Sequence, residues 1–407
     1  MKKRVLSVLL IAVLAVVGLS ACGSKSGGDA GKNTDTSAVA EQGSDAAGEE
    51  TGATNLISQN KMGSAPAADA DFSQMMIGEI ESYIIDDGGW CQATHEGIVT
   101  AMKELGMDPE KQLIVLENID DTDQAAVQAA AEQLVDKGCA LIIGASTGYA
   151  SYLPEIAAAN PNVKFAQWGT KVDNLIGYEI RSYEAMFLAG YACELMSKDN
   201  PQLGYSASYD EFSVRTAINA YALGAKYANP EATVKVACAD SWYDPDKETQ
   251  CAQSLIDAGI KYMGMEASSP AIPTACEKNG AFVVGYHNDM SYLAPNAVVC
   301  SFTWNFAPIF KQLMISVNDG SATVNDFYYW GGDCAKLTDF ASFVPEDVKK
   351  AVERLKPKVY CGEVQVYAGE LKDSKGNVLV NDGEVMSDED IILQEFFVEN
   401  VDCAWGK

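Results

Sequence analysis

The feature that most constrains the fold of this chain is an alternation of short apolar runs with amphipathic segments between residues 75 and 302. The runs have the length of buried strands, and the segments between them have the apolar spacing of helices that cover a sheet. Strand, helix and strand in succession build a parallel sheet with helices on both faces. Strands are therefore predicted at 75–85, 113–117, 139–143, 163–168, 203–207, 234–239, 262–266, 282–285 and 298–302.

Two of the intervening segments also carry helix start and stop signals. A helix is predicted over 124–137, with Thr122 and Asp123 placed to cap its first turn. A second helix is predicted over 246–258 and ends at Gly259, because glycine accepts the left-handed conformation that follows many helices. These signals support an α/β fold class.

The number of predicted strands is too large for one parallel sheet of ordinary width. The pattern also breaks near 181–185 and 288–295, where the chain can cross from one sheet to another. We therefore predict two Rossmann-like lobes with parallel sheets. The predicted N-terminal lobe contains 71–183 and 288–319, and the predicted C-terminal lobe contains 184–287 and 320–407.

The N-terminus has the parts of a secretory signal. Three basic residues follow Met1, an apolar run spans 5–17, and Leu-Ser-Ala leads to Cys22. The apolar run is too short to cross a bilayer as a mature helix. The ending resembles a bacterial lipobox, which predicts a signal peptide at 1–21 and a lipid anchor on Cys22. Such an anchor would hold the protein on the extracytoplasmic face of the cell membrane.

Residues 22–70 are mostly Gly, Ser, Ala, Asp, Glu, Thr and Asn, with few large apolar side chains. A segment of this composition cannot bury enough surface to offset the entropy lost on ordering. We predict a disordered tether between the lipid anchor and the folded part.

The charge and the cysteines exclude some classes of function. The formal charge of -28 argues against nucleic acid as a partner, since phosphate binding needs clustered Lys and Arg. No two of the eleven cysteines form a CxxC pair, and the chain has only two histidines, so no metal site or cofactor is predicted. The ten cysteines other than Cys22 are predicted to be buried free thiols, although an exported protein permits disulfides.

The loop after the first predicted strand is a candidate binding site. It contains Asp87, Gly88, Gly89 and Trp90 just before the next helix. Open α/β sheets bind ligands beyond the carboxyl ends of their strands, where a large aromatic ring can stack on a planar ligand. Packing of Trp90 over the core is the alternative.

This loop is similar to the first motif of the basic membrane protein family, in the branch that has Gly-Trp followed by His and Gly. Family members are purine-nucleoside-binding lipoproteins of ABC importers. The resemblance covers residues 75–403 and implies a type I periplasmic-binding-protein fold that closes over its ligand. Further matching motifs lie at 205–224, 241–245, 255–259, 268–271, 285–289, 303–304 and 330–332.

The resemblance also implies a set of ligand-binding residues. Trp90 resembles a residue that stacks on the base, with Asp87 as a polar neighbour and Trp304 on the opposite side. Asp289 resembles an aspartate that accepts hydrogen bonds from ribose hydroxyls. The remaining predicted ligand-binding residues are Ser146, Glu211, Phe212, Trp242, Asp244 and Ser268.

The first motif departs from the common family pattern. Many members have Phe and Asn where this chain has Trp90, Cys91 and Gln92. Free purine bases, or another aromatic solute, therefore stay open as ligands.

A rival hypothesis comes from the sequence Gly-Ala-Ser-Thr-Gly at 144–148, which fits the G-x-S-x-G nucleophile elbow of α/β-hydrolases. Ser146 would be the nucleophile of an esterase, with Asp240 or Asp244 and then His287 in the usual chain order. No segment like the HGGG oxyanion motif is present. Ser146 could equally donate a hydrogen bond to a bound ligand.

The sequence thus predicts a monomeric two-lobed receptor that is not an enzyme. It would capture a purine nucleoside or related base and deliver it to an ABC transporter permease. A surface sensor with the same cleft but no transport role is a further alternative, because both need the same docking faces.

Overall fold

The computed structural model of the protein describes residues 65–169 and 172–406. The predicted signal peptide, Cys22 and residues 22–64 of the predicted tether lie outside the described residues. Within the described ranges, no helix combines the length and apolar character needed to cross a membrane.

Two sheets form the framework. The first has the order β11-β5-β4-β3-β1-β2, and every neighbouring pair is parallel. Its strands are β1 (Ile77–Ile80), β2 (Leu113–Leu116), β3 (Leu141–Gly144), β4 (Lys164–Trp168), β5 (Ile176–Ile180) and β11 (Phe327–Trp330).

The second sheet has the order β12-β10-β9-β8-β6-β7-β15. All its pairs are parallel except β10 with β12. Its strands are β6 (Gln202–Ala207), β7 (Thr233–Cys238), β8 (Tyr262–Met265), β9 (Phe282–Gly285), β10 (Val298–Trp304), β12 (Ala335–Leu337) and β15 (Val401–Asp402). A separate antiparallel pair consists of β13 (Leu371–Lys372) and β14 (Val378–Val380).

Helices cover both sheets. They are α1 (Trp90–Glu104), α2 (Pro109–Gln112), α3 (Gln124–Asp136), α4 (Leu153–Ala159), α5 (Ser182–Met196), α6 (Phe212–Ala228), α7 (Pro245–Asp257), α8 (Ala271–Asn279), α9 (Ala307–Asn318), α10 (Glu346–Tyr360) and α11 (Asp388–Ile392). The carboxylate of Asp123 caps α3 by accepting from the backbone N–H of Ala125 at 2.9 Å, as the sequence predicts. Parallel sheets covered by helices confirm the predicted α/β fold class.

The chain leaves the first sheet after β5, at the predicted break near 181–185, but the second and third lobe boundaries differ from those predicted. Strand β10 falls in the segment assigned to the N-terminal lobe, yet it pairs with β9 in the second sheet. Strand β11 falls in the segment assigned to the C-terminal lobe, yet it pairs with β5 in the first sheet. The predicted crossovers followed breaks in the local pattern, whereas the chain changes lobe where β5, β10 and β11 end.

Three short crossovers connect the lobes: the first follows β5, the second follows β10 and the third follows β11. Backbone hydrogen bonds join the third crossover to each of the other two. At the first and third crossovers, the backbone N–H of Arg181 donates to the carbonyl oxygen of Trp330 at 2.7 Å. At the second, the N–H of Asn305 donates to the carbonyl oxygen of Cys334 at 2.8 Å. The buried carboxylate of Glu184 also accepts from the N–H of Gly332 at 2.8 Å. The crossovers therefore satisfy much of each other's backbone hydrogen bonding.

Helices α5 and α6 pack through reciprocal glycine contacts. A methyl group on Gly190 would collide with the carbonyl oxygen of Tyr221, and one on Gly224 would collide with the carbonyl oxygen of Phe187. Both obstacles are backbone atoms that cannot rotate away. The two glycines therefore set how closely these helices approach.

We expect Gly224→Ala to destabilise the protein by about 1–3 kcal/mol or more, because the helices must separate to admit the methyl group. Chemical denaturation monitored by circular dichroism measures this loss. Ser213→Ala, at an exposed position of the same helix, serves as the control and should stay within about 0.5 kcal/mol of the unmodified protein. Equal stability of the two variants would contradict the close-packing account.

Candidate ligand-binding site between the lobes

A cavity of about 250 Å³ lies between the two lobes. One wall comes from the carboxyl ends of strands in the first sheet, and the other comes from the start of α6 and the end of α11. The lining residues are Thr147, Ala150, Trp168, Gly169, Glu179, Ile180, Ser182, Tyr183, Glu211, Phe212, Ser213, Thr216, Tyr329, Ile392 and Leu393. This location matches the expectation that ligands bind beyond the strand ends.

Three tryptophans cluster beside the cavity. Trp90 begins α1 in the first lobe, Trp168 ends β4 and lines the cavity, and Trp304 ends β10 in the second lobe. The ring centroid of Trp90 is 4.7 Å from that of Trp168 and 5.4 Å from that of Trp304. The Nε1–H of Trp90 donates to the carbonyl oxygen of Ala145 at 2.7 Å, which fixes the orientation of its ring. Aromatic contacts therefore bridge the two lobes.

The two tryptophans that the sequence placed on opposite sides of a flat ligand touch each other directly. The planes of Trp90 and Trp304 meet at 87°, in an edge-to-face contact. This geometry is favourable because the positive edge of one ring meets the negative face of the other. A ligand sandwiched between these two rings is therefore not the arrangement in this structure, and Trp168 presents the indole ring that lines the cavity.

His287 provides a neutral polar group next to the tryptophans. Its Nδ1 accepts a hydrogen bond from the Nε1–H of Trp304 at 2.9 Å, which leaves the proton of a neutral imidazole on Nε2. Burial lowers the pKa of His287 to about 3. The ring centroid lies 6.5 Å from that of Trp90. His287 is therefore a hydrogen-bond donor without a charge at neutral pH.

Two carboxyl groups near the cleft are also shifted toward their neutral forms. Burial raises the pKa of Glu179, which lines the cavity, to about 8. Burial likewise raises the pKa of Glu266 to about 8. Glu266 accepts from the hydroxyl of Tyr286 at 3.2 Å through Oε1, while its buried Oε2 has no protein partner among the described residues. At neutral pH both carboxyls are mostly protonated and can donate hydrogen bonds.

The structure brings several of the predicted residues to the cleft. Glu211 and Phe212 line the cavity at the start of α6. Ser268 faces the Gly-Trp loop of the other lobe, since a methyl group on Gly89 would lie 3.0 Å from its hydroxyl oxygen. The side-chain amide of Asn288 donates across the lobes to the carbonyl oxygen of Gly88 at 2.6 Å. The two lobes therefore touch on the Trp90 side of the cleft.

Three predicted acidic residues make local backbone contacts instead. Asp87 caps α1, accepting from the N–H of Gly89 at 2.7 Å and of Gln92 at 3.1 Å. Asp244 caps α7 in the same way. Asp289 is exposed and accepts from the N–H of Ser291 at 2.9 Å. None of these three carboxylates lines the cavity, so their assignment to the ligand stays a prediction.

Trp242 also lies away from the cavity lining. Its side chain is 50% exposed and contacts the ring of Tyr209 edge to face, with 5.1 Å between centroids. Its contact with a ligand stays a prediction.

The residues of the hydrolase hypothesis are not hydrogen-bonded to one another. The hydroxyl of Ser146 donates to the carboxylate of Asp121, while His287 is bonded to Trp304. Asp240 accepts from the Nε1–H of Trp405 at 3.2 Å, and Asp244 caps its helix. The predicted nucleophile Ser146 is therefore not hydrogen-bonded to the predicted base His287, and its hydroxyl is bonded to Asp121 instead. Within the described ranges, no three His, Cys, Asp or Glu side chains are placed to hold a metal ion.

Sequence reasoning missed several cavity residues. Trp168 is the last residue of the predicted strand 163–168, so the rule that ligands bind at carboxyl ends could have found it. Glu179 lies on β5, and Tyr329 lies on β11, neither of which the apolar pattern identified. Ile392 and Leu393 approach the cavity from the C-terminal segment, where no sequence signal indicates proximity.

A model of the family described as ABC transporter substrate-binding protein, PnrA-like, matches residues 77–370. This chain belongs to that family. The resemblance to the basic membrane protein family found in the sequence is thereby confirmed, and the chain is a substrate-binding protein of the ABC transporter class.

Among sequence relatives, a purine-binding protein of Brucella abortus is 29% identical over 320 residues, which cover 78% of this chain and 89% of that protein. A putative ABC transporter glucose-binding protein of Haloferax volcanii is 29% identical over 239 residues, covering 57% of this chain and 60% of that protein. The relatives thus differ in the ligand that their names state.

Among solved structures, an ABC transporter solute-binding protein from Conexibacter woesei has a TM-score of 0.59 at 18% identity, covering 72% of this chain and 98% of that chain. A transcriptional activator of the comK gene from Bacillus halodurans has a TM-score of 0.61 at 20% identity, covering 70% of this chain and 98% of that chain. These likenesses concern the fold, and they confirm the type I periplasmic-binding-protein architecture.

The pKa values of the two histidines should be shifted in opposite directions. His287 should stay neutral with its proton on Nε2 between pH 5 and pH 8, because burial lowers its pKa to about 3. His95 should become protonated at a pH above its ordinary range, because its hydrogen bond to the buried Glu79 raises its pKa. NMR of protein labelled with ¹⁵N-histidine resolves both rings, and His95 is the internal control. A His287 ring that gains a proton near pH 6.5 would contradict the proposed environment.

Proposed function

We propose that this protein is an extracytoplasmic solute-binding lipoprotein of an ABC importer that captures purine nucleosides or free purine bases between its lobes. The observation that carries this proposal is the chemistry of the cavity. Its lining combines aromatic rings with hydroxyl groups and the carboxyl of Glu179, which its raised pKa keeps mostly protonated at pH 7, and this suits a flat, hydrogen-bonding ligand. The purine-binding relative from Brucella abortus supports the same ligand class.

The polar groups of the cleft match the edges of a purine. The protonated carboxyl of Glu179 can donate to a ring nitrogen or a carbonyl oxygen, and its second oxygen can accept from an N–H group. The Nε2–H of His287, which does not line the cavity, is a further donor beside the tryptophans. Trp168 and Phe212 provide ring faces, and stacking of a base on one aromatic side chain contributes about 1–3 kcal/mol. A neutral purine would thus leave no buried charge unpaired.

The proposed mechanism is a shift between open and closed lobes. A ligand that contacts Glu179 in one lobe and Phe212 in the other makes both sets of contacts only when the lobes are together. Binding therefore favours the closed form by its difference in affinity for the two forms. A permease that recognises the closed form would receive only loaded protein, and no covalent step is required.

Ligand class can be tested by thermal shift with the purified protein and a panel of purine nucleosides, purine bases, glucose and amino acids. A ligand that binds only the folded state raises the melting temperature by mass action. We expect shifts with purine compounds and none with glucose. A shift with glucose alone would refute the purine assignment and favour the specificity named for the Haloferax volcanii relative.

A variant pair tests the location of the site. Phe212 is 42% exposed and lines the cavity, so Phe212→Ala should weaken purine binding about tenfold with little change in the melting temperature of the unliganded protein. The control is Tyr292→Ala, since Tyr292 is 79% exposed and does not line the cavity. Calorimetry measures both affinities. Unchanged affinity in Phe212→Ala would place the ligand elsewhere.

The lipid anchor is part of the same proposal. The Leu-Ser-Ala-Cys sequence supports lipid attachment at Cys22 and a position on the extracytoplasmic face of the membrane. Cys22→Ser should move the protein from the membrane fraction to the soluble fraction after cell fractionation, while ligand binding stays the same. The control is Ser20→Thr, which keeps the cysteine. A Cys22→Ser protein that remains on the membrane would refute the anchor.

A further inference from the structure

Two cysteines that do not line the cavity meet at one edge of the second sheet. Cys238 is the last residue of β7, and Cys403 follows directly after β15. These strands are parallel neighbours, with Val401 opposite Val234 and Asp402 opposite Lys235. The two Sγ atoms lie 3.9 Å apart although the residues are separated by 165 positions in the chain. Pairing of β15 with β7 thus brings the two thiols close together.

Contacts on both sides of the pair keep it in place. Before Cys403, the N–H of Val234 donates to the carbonyl oxygen of Asn400 at 2.8 Å. After it, the Nε1–H of Trp405 donates to the carboxylate of Asp240 at 3.2 Å. Cys238 is partly exposed, whereas Cys403 is buried. These contacts hold the buried Cys403 next to the partly exposed Cys238.

We propose that Cys238 and Cys403 are a disulfide site that fastens the C-terminal segment to β7 when the protein meets a disulfide oxidant. The sulfur atoms, now 3.9 Å apart, need to approach to about 2.05 Å for the bond to form. With oxidised glutathione, the thiolate of one cysteine attacks a glutathione sulfur and releases one reduced glutathione. The second cysteine then attacks the mixed disulfide and releases another. The protein loses two protons and two electrons, which the two glutathione molecules carry away.

The bond has a structural consequence at the rim of the second lobe. The carboxyl end of β7 continues into the loop with Asp240 and Trp242, and Trp405 is hydrogen-bonded to that loop. A disulfide would prevent separation of the last strand from this edge and would close a long loop of chain, which restricts the unfolded state. Oxidation should therefore raise the melting temperature without altering the cavity.

The test uses the purified full-length protein, treated with oxidised or with reduced glutathione. Peptide mapping by mass spectrometry under non-reducing conditions should find Cys238 joined to Cys403, and thiol titration of the denatured protein should show a loss of two thiols. The melting temperature should rise by several degrees and return after reduction. Peptide mapping of the protein without substitutions shows whether the Cys238–Cys403 bond forms, even where a variant folds poorly.

Matched variants distinguish a disulfide between Cys238 and Cys403 from oxidation of other cysteines. Cys238→Ser and Cys403→Ser should each abolish the rise in melting temperature, whereas Cys361→Ser, which removes an exposed cysteine, should keep it. Linkage of either cysteine to glutathione alone, or a bond between other cysteines, would overturn the proposal. Purine binding is measured in a separate experiment. The absence of a Cys238–Cys403 disulfide would therefore leave the proposed function standing, and the absence of purine binding would leave the disulfide proposal standing.

Discussion

The cleft between the lobes depends on three crossovers that connect the two sheets. Their backbone groups bond mainly to one another, as in the pair formed by Arg181 and Trp330. Glu184 adds a buried carboxylate beside Gly332, and burial raises the pKa of Glu184 to about 7. The closing movement that we propose would require rotation only at these short connections and would leave the hydrogen bonds within both sheets intact.

The arrangement of the two sheets determines which residues line the cleft. Strand ends place Trp168 and Glu179 on one side, and the start of α6 places Phe212 on the other. Desolvation between the lobes disfavours charged forms, which raises the pKa of a carboxyl and lowers that of an imidazole. The same burial therefore accounts for the shifts of Glu179 and His287 in opposite directions. Burial in such a cleft costs more free energy for an unpaired ion than for a neutral aromatic solute.

The sequence predicted those structural elements correctly whose formation depends on neighbouring residues along the chain. The nine predicted strands each overlap an observed strand, because a run buried on both faces must be apolar throughout. The cap at Asp123 was predictable for a similar reason, since it depends only on the next few residues. By contrast, β5 contains Gly177 and Glu179, which interrupt the apolar run, and it was missed.

What the sequence by itself determined is the class of protein: the alternating pattern requires parallel sheets, and the ordered motifs identify the substrate-binding family. The tertiary structure decided which strands share a sheet, because β11 reaches its partner β5 from about 150 residues away. It also decided that Trp90 and Trp304 meet edge to face, and that Trp168 rather than either of them lines the cavity. The local pattern of apolar residues along the chain indicates which segments become buried. The direction of a side chain near a crossover, by contrast, depends on contacts that form only when distant segments assemble.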